Sequence, residues 1–153
     1  DAEQIHEGFE HLSKETRHRR FLSALKQLPP HHEHAITHVD DHDHLAWGIG
    51  VIDAEGHELG IGVAHVVRDA QRPDHGEYAI VIADDWQRRG AGKVLTRALA
   101  ARSLEVSIPF WTAVMFTDNR PVQRVLDDVA VEISRHALGS GVCEVELRLR
   151  AAP

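Results

Sequence analysis

Between residues 77 and 106 the apolar positions change their period, and that switch limits the fold more than anything else in the chain. "EYAIVIADDW" (77–86) is rich in β-branched residues and reads as a strand. From Gly90 the apolar residues recur at helical spacing, with Val94, Leu95, Ala98 and Leu99 on one face, and predict a helix to about Val106. A strand that feeds a helix through a short polar turn must be layered helix on sheet.

The flanking patterns extend that layering. "DAEQIHEGFEHL" (1–12) predicts a helix capped by Asp1, and a second runs from Ser13 to the Pro29-Pro30 stop. "LAWGIGVID" (45–53) and "LGIGVAHVV" (59–67) predict a hairpin joined by "AEGHE". "PFWTAVMF" (109–116) predicts a strand, and Pro121 opens a helix with Val122, Val125, Leu126 and Val129 on its face. "VEISRHAL" (131–138) and "CEVELRLR" (143–150) predict a closing hairpin. The expected fold is α/β (α+β): a mixed, mostly antiparallel central sheet flanked by helices, in one domain over residues 1–153.

Bulk properties remove several function classes. The net charge of −7 and the lack of a long basic stripe argue against nucleic acid as a partner. No apolar run approaches the roughly 18 residues of a membrane span, and no signal peptide opens the chain, so a cytoplasmic protein is expected. A single cysteine, Cys143, excludes an internal disulfide.

The strand–helix junction itself, "QRRGAGK" (87–93), gathers positive charge and small residues in an acidic chain. A helix start presents unpaired N–H groups and the positive end of its dipole. Gly90, Ala91 and Gly92 would let an anion approach that backbone, and Arg88, Arg89 and Lys93 supply charge for a diphosphate. The stretch lacks the nucleotide P-loop and the full dinucleotide fingerprint. A glycine-tolerant turn with solvated arginines satisfies the same residues, so the junction alone leaves both readings open.

In context, "Q-R-R-G-A-G" resembles the acyl-CoA-binding motif of the GNAT acetyltransferase superfamily. "GFEHLSKETRHRRFLS", "HVDDHDHLAWGIGV", "GVAHVVRDAQRPDHGEYAIVIADDWQRRGAG" and "FTDNRPVQRVLDD" resemble, in order, blocks of the branch related to bacterial Pat-type protein lysine acetyltransferases. The resemblance covers roughly residues 1 to 130. It implies acetyl-CoA as co-substrate, with Gln87 to Lys93 receiving its pyrophosphate. It also implies that backbone groups of Ile82 and Ala83 pair with the pantetheine amides, that the Ile82 N–H is the oxyanion donor, and that Asn119 contacts the cofactor. A capping or turn asparagine is the other reading of Asn119.

Acetyl transfer to an amine needs a base. Glu77 is the candidate, in the position where this branch carries an acidic strand residue ("A-E-V-A"; here "G-E-Y-A"). Strand alternation puts Glu77 on one face with Ala79, Val81 and Ala83, and Tyr78, Ile80 and Ile82 on the other. Many superfamily members carry a tyrosine acid after the last helix. Here the only tyrosine is Tyr78, and neither it nor Cys143 fits that role. Relatives also begin one strand earlier, so the sheet is expected to lack an edge or to be completed by a partner, as in a homodimer.

His31, His32, His34, His38, His42 and His44, with Asp40, Asp41 and Asp43, could be read as a metal site, but the aligned family segment is metal-free and no metal is expected. His65 and His75 are better placed to touch substrate. Arg17, Arg19 and Arg20 could favour an acidic acceptor, or simply be solvated. The expected activity is N-acetyl transfer from acetyl-CoA to an amine, either a protein lysine or a small molecule, by direct attack in a ternary complex. The alternatives are a silent CoA-binding domain and a histidine-rich metal module.

Overall fold

A computed structural model of the chain describes residues 13, 14 and 38–151. The first expected helix and nearly all of the second, with Arg17, Arg19, Arg20, His31, His32 and His34, lie outside the described residues. Lys14 is helical, at the expected start of the second helix.

Among the described residues six strands form one sheet, with two helices packed on it. The strands are β1 (His44–Ile52), β2 (Glu58–Arg68), β3 (His75–Ile82), β4 (Phe110–Phe116), β5 (Ala130–Gly139) and β6 (Val142–Leu149). The helices are α1 (Ala91–Glu105), between β3 and β4, and α2 (Arg120–Val129), between β4 and β5. The spatial order is β1-β2-β3-β4-β6-β5, antiparallel throughout except for the β3–β4 pair. That parallel pair follows from chemistry: a strand–helix–strand crossover returns parallel, whereas the short hairpins can only return antiparallel.

The expected third strand shifts. β3 starts at His75 and ends at Ile82, and Asp84–Trp86 forms a 3-10 turn instead of continuing the strand. Asp84 is engaged in that turn, where its carboxylate accepts the Ser13 N–H at 2.7 Å and hydroxyl at 3.0 Å.

The buried stripe of α1 is also rotated from the expected one. Leu95 and Leu99 are in the core, but Val94 is 59% exposed, and Ala91, Thr96, Ala100 and Ser103 complete the face. Thr96 and Ser103 are tolerated there because their hydroxyls have partners. Tyr78 Oη lies 2.8 Å from Thr96 Oγ1, which bonds the Gly92 carbonyl at 2.7 Å, and Trp111 Nε1 donates to Ser103 Oγ at 3.1 Å. Tyr78 and Trp111 stack with centroids 4.8 Å apart, tying β3, β4 and α1 into one core.

The turn into β1 is held by Asp40. Its Oδ1 accepts the backbone N–H groups of His42, Asp43 and His44 at 3.0, 2.8 and 2.8 Å. These bonds lower its pKa from 3.8 to about 2. Because the folded value lies below the unfolded one, the stabilisation is complete above the unfolded pKa and is lost as pH falls from about 4 towards about 2. Thermal melts of Asp40→Asn and the parent chain should therefore differ at neutral pH and converge on acidification over that window. A gap of constant size would show that the carboxylate charge contributes nothing.

Candidate active site

The parallel pair is short. β3 and β4 are in register only at His75↔Phe110, Gly76↔Trp111 and Glu77↔Thr112; beyond Glu77 the two strands part. β2 continues to pair with β3 as far as Gly62↔Ile82. The sheet is thus intact on one side of β3 and open on the other.

Alternation of the hydrogen bonds decides which groups face the opening. The Ala83 N–H donates to the Ile61 carbonyl at 2.8 Å, so in this antiparallel ladder the odd residues of β3 turn their backbone groups to β2. The even residues Ile80 and Ile82 therefore turn theirs towards the opening. The Ile82 backbone thus faces away from β2, and its carbonyl accepts the Gln87 amide Nε2 at 3.0 Å. Ala83 does not: its N–H is spent on Ile61 and its carbonyl accepts the Trp86 N–H at 2.9 Å. The strand ends at Ile82, short of the residue 86 that its sequence pattern suggests.

The mouth of the opening is the start of α1. Gly90 caps the helix with φ 91°, in the left-handed region, and Arg88 also has a positive φ of 61°. The first helical bond runs from the Val94 N–H to the Gly90 carbonyl, so the N–H groups of Ala91, Gly92 and Lys93 have no carbonyl one turn earlier. A Cβ on Gly90 would meet nothing within 4 Å; one on Gly92 would touch Ile80, Val125 and Ile82 at 3.7 to 3.9 Å. The two glycines thus serve different ends. Gly90 supplies the backbone turn over open space, whereas Gly92 packs against β3 and α2, where a Cβ would make ordinary contact.

The three cations separate likewise. Lys93 faces Asp128 on α2 at 3.4 Å, where Arg97 also binds through Nε and Nη2 at 2.7 and 2.9 Å. The Arg97 hydrogen bonds, then the nearby positive charges, hold Asp128 below the usual carboxylate range. Arg88 and Arg89 are exposed and make no ion pair among the described residues; Arg89 lies 5.0 Å over the Trp86 ring. Asn119 precedes α2 as its cap residue but makes no side-chain capping bond and is only 6% exposed. A buried amide so placed calls for a polar partner.

Glu77 is exposed on the last rung before the strands part, with Val67 beside it on β2 and Thr112 on β4. Tyr78 points to the opposite face, is 3% exposed and is bonded to Thr96. Buried in the core, it is unavailable as an acid. Tyr78→Phe should lower stability by about 1 kcal/mol, the worth of one hydrogen bond, without slowing catalysis. Chemical denaturation and rate measurements on the same variant test this, and a tenfold slower rate would return the phenol to the chemistry.

Among the described residues no group of three or more His, Cys, Asp or Glu side chains is arranged to hold a metal ion. No helix among them is long and apolar enough to cross a membrane. His75 stacks on Phe110 at 4.8 Å and pairs with Asp74 at 2.8 Å. Sequence reasoning missed the contact between His44 and His65, whose ring nitrogens lie 3.4 Å apart. They are 21 positions apart, and only the β1–β2 register joins them.

Comparison with known proteins agrees with this architecture. Residues 7–127 match the Acetyltransferase (GNAT) family. The chain is 32% identical over 149 residues to the acetyltransferase Pat of Mycolicibacterium smegmatis, covering 96% of this chain but 43% of that protein. It thus spans less than half the length of that curated relative. Its fold matches the crystal structure of the GNAT domain of S. lividans PAT with a TM-score of 0.80 at 25% identity, over 97% of this chain and 85% of that one. It also matches a cAMP-binding acyltransferase from Mycobacterium smegmatis with a TM-score of 0.62 at 25% identity, over 90% of this chain and 40% of the other.

Proposed function

Because this chain belongs to the GNAT acetyltransferase family, we propose that it transfers the acetyl group of acetyl-CoA to a primary amine by direct attack in a ternary complex. The observation that carries this reading is the parting of β3 from β4 after Glu77, which turns the Ile80 and Ile82 backbone towards a cleft ending at α1. An extended chain carrying amides could pair with that strand edge as a neighbouring strand would, and the pantetheine arm has that form.

In this reading the free N–H groups of Ala91, Gly92 and Lys93 hold the pyrophosphate, and Arg88 and Arg89 neutralise it. Lys93 contributes through its backbone, since its ammonium is drawn to Asp128. Gln87 acts indirectly by fixing the Ile82 carbonyl. The buried Asn119 amide supplies a polar contact from the start of α2. The Ile82 N–H is the donor to the oxyanion that forms on the thioester carbon. Glu77 takes the proton from the acceptor's ammonium, directly or through water.

Titration calorimetry with acetyl-CoA and, separately, with zinc tests the reading. Acetyl-CoA should bind stoichiometrically and zinc should not; zinc binding without acetyl-CoA binding would overturn it. A thiol-release screen over lysine peptides, proteins, polyamines and aminoglycosides then defines the acceptor. Protein lysine heads that screen because the sequence blocks resemble those of Pat-type protein lysine acetyltransferases.

A further inference from the structure

β3 loses a neighbour before it ends. Past Glu77 β4 has parted from it, so the sheet holds the peptide joining Ile82 to Ala83 on one side, where the Ala83 N–H donates to the Ile61 carbonyl at 2.8 Å. On the open side a side chain stands in for the strand: the Gln87 amide Nε2 donates to the Ile82 carbonyl at 3.0 Å. The same nitrogen lies 3.4 Å from Asp84 Oδ1. Both neighbours are acceptors, so the group between them is the NH2 end of the amide, with one hydrogen for each.

Local geometry explains why these residues meet. Asp84–Trp86 is a 3-10 turn, and side chains three positions apart eclipse in that geometry. Asp84 and Gln87 are so spaced, and the Gln87 N–H closes the turn on the Asp84 carbonyl at 3.2 Å. The carboxylate is anchored in turn from a distant segment. Its Oδ2 accepts the Ser13 N–H at 2.7 Å and its Oδ1 the Ser13 hydroxyl at 3.0 Å, across 71 positions of sequence. Gln87 is exposed, and a long exposed side chain loses much rotamer freedom when ordered. The bond to Asp84 selects the rotamer that faces Ile82.

We propose that Asp84 is a positioning residue for acetyl-CoA: anchored by Ser13, it holds Gln87 against the Ile82 carbonyl and presets the open edge of β3. This rests on that edge receiving the pantetheine arm. A carbonyl oxygen has two lone pairs, so the Ile82 oxygen keeps Gln87 and still accepts an amide N–H from the arm. An edge already ordered costs less to bind than a strand end that frays. The effect therefore falls on acetyl-CoA and spares the amine.

A double-mutant cycle read by calorimetry with acetyl-CoA tests the proposal. Asp84→Ala should weaken binding about tenfold, and Gln87→Ala by a similar factor, about the worth of one hydrogen bond. In the Gln87→Ala background, Asp84→Ala should cost less than about twofold, because the group it positions is gone. Full, multiplying losses would make Asp84 a structural anchor of Ser13 alone and overturn the proposal, as would an Asp84→Ala variant that binds like the parent. With a lysine peptide as acceptor, Asp84→Ala should raise the KM for acetyl-CoA and leave that for the peptide within about twofold. Amide exchange on the free protein reads the edge directly. The Ala83 N–H should exchange about tenfold faster in both single variants, and an unchanged rate in both would refute the presetting. A parent chain that binds no acetyl-CoA removes the proposed activity and this role with it; a parent that binds, with independent losses, removes the role alone.

Discussion

Gly90→Asp should weaken acetyl-CoA binding by about 100-fold or more, equivalent to ~2.7 kcal/mol. Three effects point the same way. The residue sits at φ 91°, where a side chain costs about 1–2 kcal/mol. The new carboxylate would stand at the cap position and could accept the first-turn N–H groups itself, occupying in cis the donors that the pyrophosphate needs. Its charge would also offset Arg88 and Arg89. Since a Cβ there meets no neighbour within 4 Å, the fold should survive, and calorimetry on a folded variant isolates the loss. Affinity within threefold of the parent would refute the phosphate cradle. Gly92→Asp is a poorer probe, because its carboxylate would be driven against Ile80, Ile82 and Val125 and would damage packing as well.

Glu77→Gln should cut turnover by about 100-fold or more while leaving acetyl-CoA affinity intact. A lysine of pKa about 10.4 is neutral only about once in 2,500 at pH 7, a penalty of roughly 4.6 kcal/mol that a base partly offsets. Glutamine keeps the shape and exposure of the side chain but accepts no proton. The position makes the test clean: Glu77 lies on the face opposite Tyr78 and the core, so the substitution disturbs neither packing nor the edge offered by Ile80 and Ile82. If turnover and affinity fell together, the carboxylate would be shaping the cleft; if neither fell, water or another group would be the base.

Much of the fold was legible because local chemistry announces it. β-branched runs, the glycine turn at Gly56 and the change of period at Gly90 gave the order of the described strands and helices. The face of Glu77 followed from alternation alone, since side chains in a strand can point only two ways. Boundaries were less legible. β3 ends at Ile82 because Asp84 is recruited by Ser13 and the chain turns at Trp86, contacts that local pattern does not encode. The stripe of α1 was misjudged at Val94 for a similar reason: Thr96 and Ser103 are polar in sequence but buried by the partners Tyr78 and Trp111.

By itself the sequence determined the alternation of strands and helices, the small cationic helix start after the third strand and a carboxylate at that strand's head. These depend on residues close together in the chain, where sterics and periodicity act directly. Tertiary structure alone decided that β3 and β4 pair for three rungs and then separate, that Lys93 is held by Asp128 while Arg88 and Arg89 are not, and that His44 meets His65. Each of these joins segments distant in the chain, and their geometry is set by how the sheet twists and packs, which no local pattern records.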